Sequence, residues 1–145
     1  MGMKLLFICT GNTCRSPMAE ALARKILGDS VQVSSAGLAA YPGESASSYA
    51  IEVLSEKNID LSGHRSRRME EQLLAEADWI IPMTEAQVET LSFLYPLYIH
   101  KIRCLGDWGE QKKDVPDPWS GSLAVYRQTA QEIEELLNVL KEYLR

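Results

Sequence analysis

The sequence predicts an α/β domain in which a four-stranded parallel sheet lies between helical layers. Two observations carry this. Apolar runs of strand length recur at residues 4–9, 31–36, 79–83 and 102–105, and stretches of helical periodicity stand between and after them. Strands that alternate with helices pair in parallel and are covered on both faces, so they read as continuous apolar runs rather than as alternating ones.

The elements follow in order. The run at 4–9 is the first strand, and a turn bearing Gly, Asn and Ser leads from it to Pro17 and a helix over 18–27. Proline is favourable in a first helical turn, where its missing N–H would have no partner. Residues 31–36 form the second strand. Residues 45–57 carry Ala50, Val53 and Leu54 at helical spacing, and 79–83 form a third strand with Pro82 near its end. Thr84 and Gln87 have the spacing of a capping box, in which both side chains satisfy free N–H groups of a starting helix. A short fourth strand at 102–105 precedes a loop over 106–121 that is rich in Gly, Pro and Asp. Loops of that length in compact domains are often functional. The final helix, 124–144, sets Val125, Ile133, Leu136, Leu137, Leu140 and Leu144 on one stripe facing the core.

Bulk properties narrow the function. At 145 residues the chain has the length of one domain, 1–145, with 46% hydrophobic and 24% charged residues. A net charge of −5 argues against nucleic acid as a partner. The basic cluster His64-Arg65-Ser66-Arg67-Arg68 is short and reads as a solvated face, with the edge of a site as the alternative. No apolar run is long enough for a signal peptide or a membrane span. Three cysteines are an odd count, which fits a reducing cytoplasm better than a disulfide framework, and their spacing suits no zinc site. No metal or cofactor is expected, and a monomer is.

In parallel sheets ligands bind beyond the carboxyl ends of the strands, so the loop after the first strand is the candidate site. It reads Cys9-Thr10-Gly11-Asn12-Thr13-Cys14-Arg15-Ser16. A loop running from a strand into a helix can converge several backbone N–H groups on one anion. Gly11 and Asn12 tolerate the positive φ angles such a cradle needs. Arg15 adds a planar fork for two phosphate oxygens. The same positive field acts on the Cys9 thiol and favours the nucleophilic thiolate.

This string resembles the low-molecular-weight protein tyrosine phosphatase family. The resemblance runs from 9–20 through Ser34-Ser35-Ala36-Gly37 and Ala77-Asp78-Trp79 to Asp117-Pro118. It implies a flavodoxin- or Rossmann-like three-layer fold and hydrolysis through a phosphocysteine on Cys9. By the same resemblance Arg15 clamps the phosphate, and Asp117 protonates the leaving group and later activates water. Ser16 donates to the thiolate. Asn12, Ser35 and His64 hold the strained loop, and Cys14 forms a reversible disulfide with Cys9 under oxidant. Cys104 reads as packing only.

Within the family, Thr13 and a non-Tyr aromatic after Asp-Pro, here Trp119, resemble the bacterial protein arginine phosphatase branch. The substrates implied are proteins carrying phosphoarginine, with phosphotyrosine as the alternative under the same mechanism. The Thr13 hydroxyl can meet a guanidinium or orient water, and Trp119 can stack on the guanidinium plane. Tyr41 stands where tyrosine phosphatases often place an aromatic pocket wall, which favours the alternative. Two remoter readings are a thioredoxin-linked arsenate reductase and a non-catalytic phosphoprotein-binding module. The first needs a later cysteine pair, whereas only Cys104 follows the loop; the second would not need both Cys9 and Asp117.

Overall fold

The computed structural model describes residues 2–110 and 112–144. Its centre is β1 (Met3–Cys9), with Phe7 and Ile8 wholly buried. This strand pairs in parallel with β2 (Val31–Gly37), from Met3 opposite Val31 to Cys9 opposite Gly37. On its other edge it pairs in parallel with β3 (Trp79–Pro82), from Leu5 opposite Trp79 to Ile8 opposite Pro82. The sheet order is β2-β1-β3.

Successive side chains of β1 point to opposite faces, and that alternation builds the three layers. Leu5, Phe7 and Cys9 enter a cluster completed by α1 (Arg15–Leu27), α2 (Ser48–Glu56) and α5 (Leu123–Tyr143). Leu6 and Ile8 enter a second cluster with Leu74 of α3 (Glu71–Glu76) and Leu91 of α4 (Glu85–Leu94).

The predicted fourth strand is absent from the sheet, which has three strands among the described residues. Residues 102–105 make one isolated bridge, Ile102 to Ile80, with Arg103 N–H donating to the Ile80 carbonyl at 2.9 Å. That bond shows which edge of β3 faces the segment. Pro82, two residues on, presents its backbone to the same edge and has no N–H to give, so the ladder cannot continue. The chain turns instead into short 3-10 helices on either side, Pro96–Lys101 and Leu105–Asp107.

Elsewhere the local signals hold. Helix α1 begins earlier than expected, at Arg15, and ends at Gly28, whose φ of 79° suits glycine. Ser47 caps α2 by accepting from Ala50 N–H, and Ser122 caps α5 by accepting from Val125 N–H. Thr84 and Gln87 form the complete capping box of α4. On α5, Ile133, Leu137 and Leu140 are buried, but Val125 is 42% exposed because it lies beside the cap rather than over the core. No described helix is long and apolar enough to cross a membrane.

Candidate active site

In the order β2-β1-β3 the chain leaves β1 toward neighbours on opposite sides. Such a reversal opens a crevice at the strand's carboxyl end, and Cys9 ends β1 there. Positions 10–16 follow it.

Asn12 organises the loop. It is fully buried and holds φ of 56°, a conformation asparagine adopts more readily than most residues. Its Nδ2 donates to Ser16 Oγ at 2.8 Å and to Ser35 Oγ at 3.0 Å. Its Oδ1 accepts from Arg67 N–H at 2.9 Å, and its carbonyl accepts from His64 Nε2 at 2.8 Å. Ser35 in turn donates to Glu20 Oε1 at 2.6 Å. Every polar group of the Asn12 side chain thus has a partner, which a buried amide requires.

Ser16 Oγ accepts from Asn12 and lies 2.9 Å from the Cys9 sulfur, so its own proton can serve the sulfur once the thiol has ionised. Asn12 N–H donates to the same sulfur at 3.3 Å. Cys9 is 3% exposed, and both groups converge on it.

Arg15 is also buried. Its Nη1 donates to the Val115 carbonyl at 3.0 Å, and its Nη2 lies 3.7 Å from Asp117 Oδ2. Asp117 itself is half-exposed, and its Oδ1 accepts from Trp119 N–H at 3.0 Å. These groups meet around a cavity of about 220 Å³ lined by Cys9, Thr10, Gly11, Thr13, Cys14, Arg15, Asp117 and Trp119. The structure therefore brings together residues that lie 100 positions apart in the chain. A wider cleft of about 550 Å³ lies behind the loop, with Glu20 and His64 on its wall. Cys9 does not line it.

Two expected residues sit differently. Gly11 does not take a positive φ; only Asn12 in the loop does. Tyr41 is 78% exposed and does not line the cavity; its carbonyl accepts from Ser66 Oγ. Cys14 is buried, with Sγ donating to Ser47 Oγ at 3.6 Å and lying 3.3 Å from the Tyr126 hydroxyl. Burial, with the Cys14 contact adding to it, pushes the Tyr126 hydroxyl up to about 12. Among the described residues, no group of three or more His, Cys, Asp or Glu is placed to hold a metal.

Sequence reasoning missed Glu20, Arg67, Gln87, Val115 and Tyr126. Glu20 was legible in principle, since it stands one helical turn beyond Ser16 on the same face. The others reach the site only through the tertiary fold.

A sulfur nucleophile at the floor of a backbone anion cradle, with a guanidinium fork beside it and a carboxyl at the mouth, can accept a phosphoryl group and pass it to water. The matching family model, low molecular weight phosphotyrosine protein phosphatase, covers residues 4–145, and the chain belongs to that family. It is 41% identical to a protein-arginine-phosphatase of Bacillus subtilis, over 99% of this chain and 97% of the relative. The solved structure of YwlE arginine phosphatase with a phosphorylated active-site serine matches with a TM-score of 0.94 at 40% identity, covering 98% of this chain and 95% of that one. Wzb of Vibrio vulnificus in complex with benzylphosphonate matches at 0.93 with 32% identity, covering 99% and 100%.

Proposed function

We propose that the protein removes phosphate from arginine side chains of phosphorylated proteins through a phosphocysteine on Cys9. The observation that carries this is the Cys9 sulfur lining the cavity, with the Ser16 hydroxyl 2.9 Å away and the Asn12 N–H donating to it.

The Cys9 thiolate attacks phosphorus and the P–N bond breaks. The electron pair leaves on the guanidine nitrogen, which takes the proton of the Asp117 carboxyl and departs as guanidinium. The resulting Asp117 carboxylate then takes a proton from water, which attacks the phosphocysteine. The S–P bond breaks, inorganic phosphate leaves, and the Ser16 proton receives the returning thiolate charge. The transition state spreads charge over three equatorial oxygens, which fixed donors must hold. Arg15 and the backbone N–H groups of 10–16 take that role, while Ser35 and His64 support it through Asn12.

Phosphoarginine is favoured by the relative named a protein-arginine-phosphatase and by Thr13 and Trp119 on the cavity wall. Trp119 is 70% exposed at the mouth, free to stack on a guanidinium plane. Phosphotyrosine is the second reading, favoured by the likeness to Wzb with its aromatic phosphonate; Trp119 would then face the ring. Cys14 serves as a disulfide partner that shields Cys9 from irreversible oxidation. Residues 1–145 act as one domain and as a cytoplasmic monomer, whose oligomeric state size-exclusion chromatography checks.

The deciding experiment compares kcat/KM on matched phosphoarginine and phosphotyrosine peptides, with Cys9→Ser as the blank. A preference for phosphoarginine is expected. A preference for phosphotyrosine transfers the mechanism to the second reading, and turnover surviving in Cys9→Ser sinks both.

A further inference from the structure

The capping box of α4 reaches beyond its helix. Gln87 Oε1 accepts from Met83 N–H at 3.0 Å and from Thr84 N–H at 3.2 Å. With its oxygen fixed by two backbone donors, the amide can be oriented only one way, its NH₂ turned toward the phosphate loop. There Nε2 donates to Thr10 Oγ1 at 3.2 Å. Gln87 is buried, and Thr10 lines the cavity next to Cys9. Because Thr10 Oγ1 accepts from Gln87, the threonine's own proton is left for an acceptor elsewhere.

The same corner holds the opposite wall. The Met83 carbonyl accepts from Val115 N–H at 2.9 Å, and Glu85 N–H donates to Asp114 Oδ1 at 2.9 Å. Val115 is the residue whose carbonyl receives Arg15. The end of β3 thus braces both sides of the cavity, and Gln87 is its link to the loop.

We propose that Gln87 is a positioning residue of the reaction: by donating to Thr10 it fixes the residue beside Cys9 and makes the threonine hydroxyl a donor to the bound phosphoryl group. The inference rests on the phosphatase reading. A helix cap alone would not need an amide here, since glutamate serves a capping box equally well. Glutamate cannot donate to Thr10.

Two cycles against Thr10→Val test this. Gln87→Glu keeps the cap and adds a charge; Gln87→Met loses the cap and adds none. Melting temperature is expected to fall for both, through a buried charge in the first and a lost cap in the second, so the readout is the coupling to Thr10 rather than either loss alone. In both cycles the loss in kcat/KM is expected to be about fivefold smaller on the Thr10→Val background than on wild type, the worth of one hydrogen bond. Equal losses on both backgrounds would mean that Gln87 only caps α4, and overturn the proposal. Affinity for inorganic phosphate, measured by calorimetry on the same four-way sets, should show the same coupling. It reads Gln87 even if neither phosphoarginine nor phosphotyrosine is turned over, so failure of the phosphatase reading and failure of this one are distinguishable.

Discussion

The two segments that face each other across the cavity are held in opposite ways. The phosphate loop is held from inside: Asn12 and Ser16 have no exposed surface, and their side chains bond β2, the 64–67 segment and Cys9. The segment 114–121 is anchored at Val115 and is mostly exposed beyond it, apart from the buried Pro118. Past that point its hydrogen bonds are local, with Trp119 N–H on Asp117, Gly121 N–H on the Pro118 carbonyl at 2.8 Å, and Ser120 at φ of 65°, and its one long-range tie is the ion pair of the half-exposed Asp117 with Arg15. The difference matches the two tasks. Donors to a phosphoryl transition state must be fixed beforehand, whereas a proton donor needs only reach and can sit on a strap that admits a protein substrate.

Breaking each side should therefore look different. We predict that Asp117→Asn lowers kcat by about 10²–10⁴, the usual worth of general acid–base catalysis. It should leave unfolding free energy within about 0.5 kcal/mol of wild type, because the site is half-exposed and asparagine can still accept from Trp119. Phosphate affinity should hold. Steady-state kinetics beside urea denaturation checks this, and a large stability loss would show that the strap is not the loosely held half.

Asn12→Ala should do the reverse, damaging fold and phosphate binding together. It removes three hydrogen bonds, those to the Ser16 and Ser35 hydroxyls and from Arg67 N–H, and leaves alanine at φ of 56°. A loss of about 3 kcal/mol follows at roughly 1 kcal/mol per lost hydrogen bond. Stability that survives intact would refute the view of the loop as prestressed and internally braced.

The root of the strap offers a third, smaller test. Cys104 is buried just ahead of it, and its carbonyl accepts from Asp107 N–H at 3.0 Å. Burial pushes its thiol up from the ordinary 9.0 to about 11, with Asp114, Glu85 and Asp107 adding to the rise. Below pH 9 both folded and unfolded chains keep the proton. Between 9 and 11 the unfolded chain loses it and the folded chain does not, so stability falls as pH rises, by about 1.4 kcal/mol per unit. Urea midpoints across that window should decline, and Cys104→Ala should flatten the decline until Tyr126 contributes at higher pH. An equal slope in both proteins would remove Cys104 as its source.

The sequence made one side of this comparison far more legible than the other. Residues 9–16 are contiguous, so their chemistry could be read as a string, and the strand before and helix after them follow from local pattern alone. What holds the loop could not be read so: Arg67 acts through its backbone N–H, Val115 through its carbonyl, and Gln87 through the half of its amide that the cap leaves free. Backbone groups carry no side-chain signature. The missing fourth strand failed for a related reason, since Pro82 matters only once it is known which edge of β3 faces residues 102–105. Tyr41 was placed on the wall by analogy, and the turn that bonds Ser66 leaves its ring in solvent.

The smallest expected effect concerns the residue where the two walls meet the substrate's chemistry. Thr13 lines the cavity while its carbonyl accepts from Ser47 N–H at 2.9 Å, so its backbone is pinned independently of its side chain. Thr13→Ile should therefore leave the loop and the stability unchanged and alter only what the wall offers. A guanidinium facing isoleucine loses a hydrogen-bond partner at a cost of about 1–3 kcal/mol, while an aromatic ring gains apolar contact. The ratio of kcat/KM for phosphoarginine over phosphotyrosine peptides should then fall about tenfold or more, and Thr13→Ser, which keeps the hydroxyl, should preserve it. If serine and isoleucine shift the ratio alike, the hydroxyl is not what selects the substrate, and the exposed Trp119 on the strap becomes the wall that does.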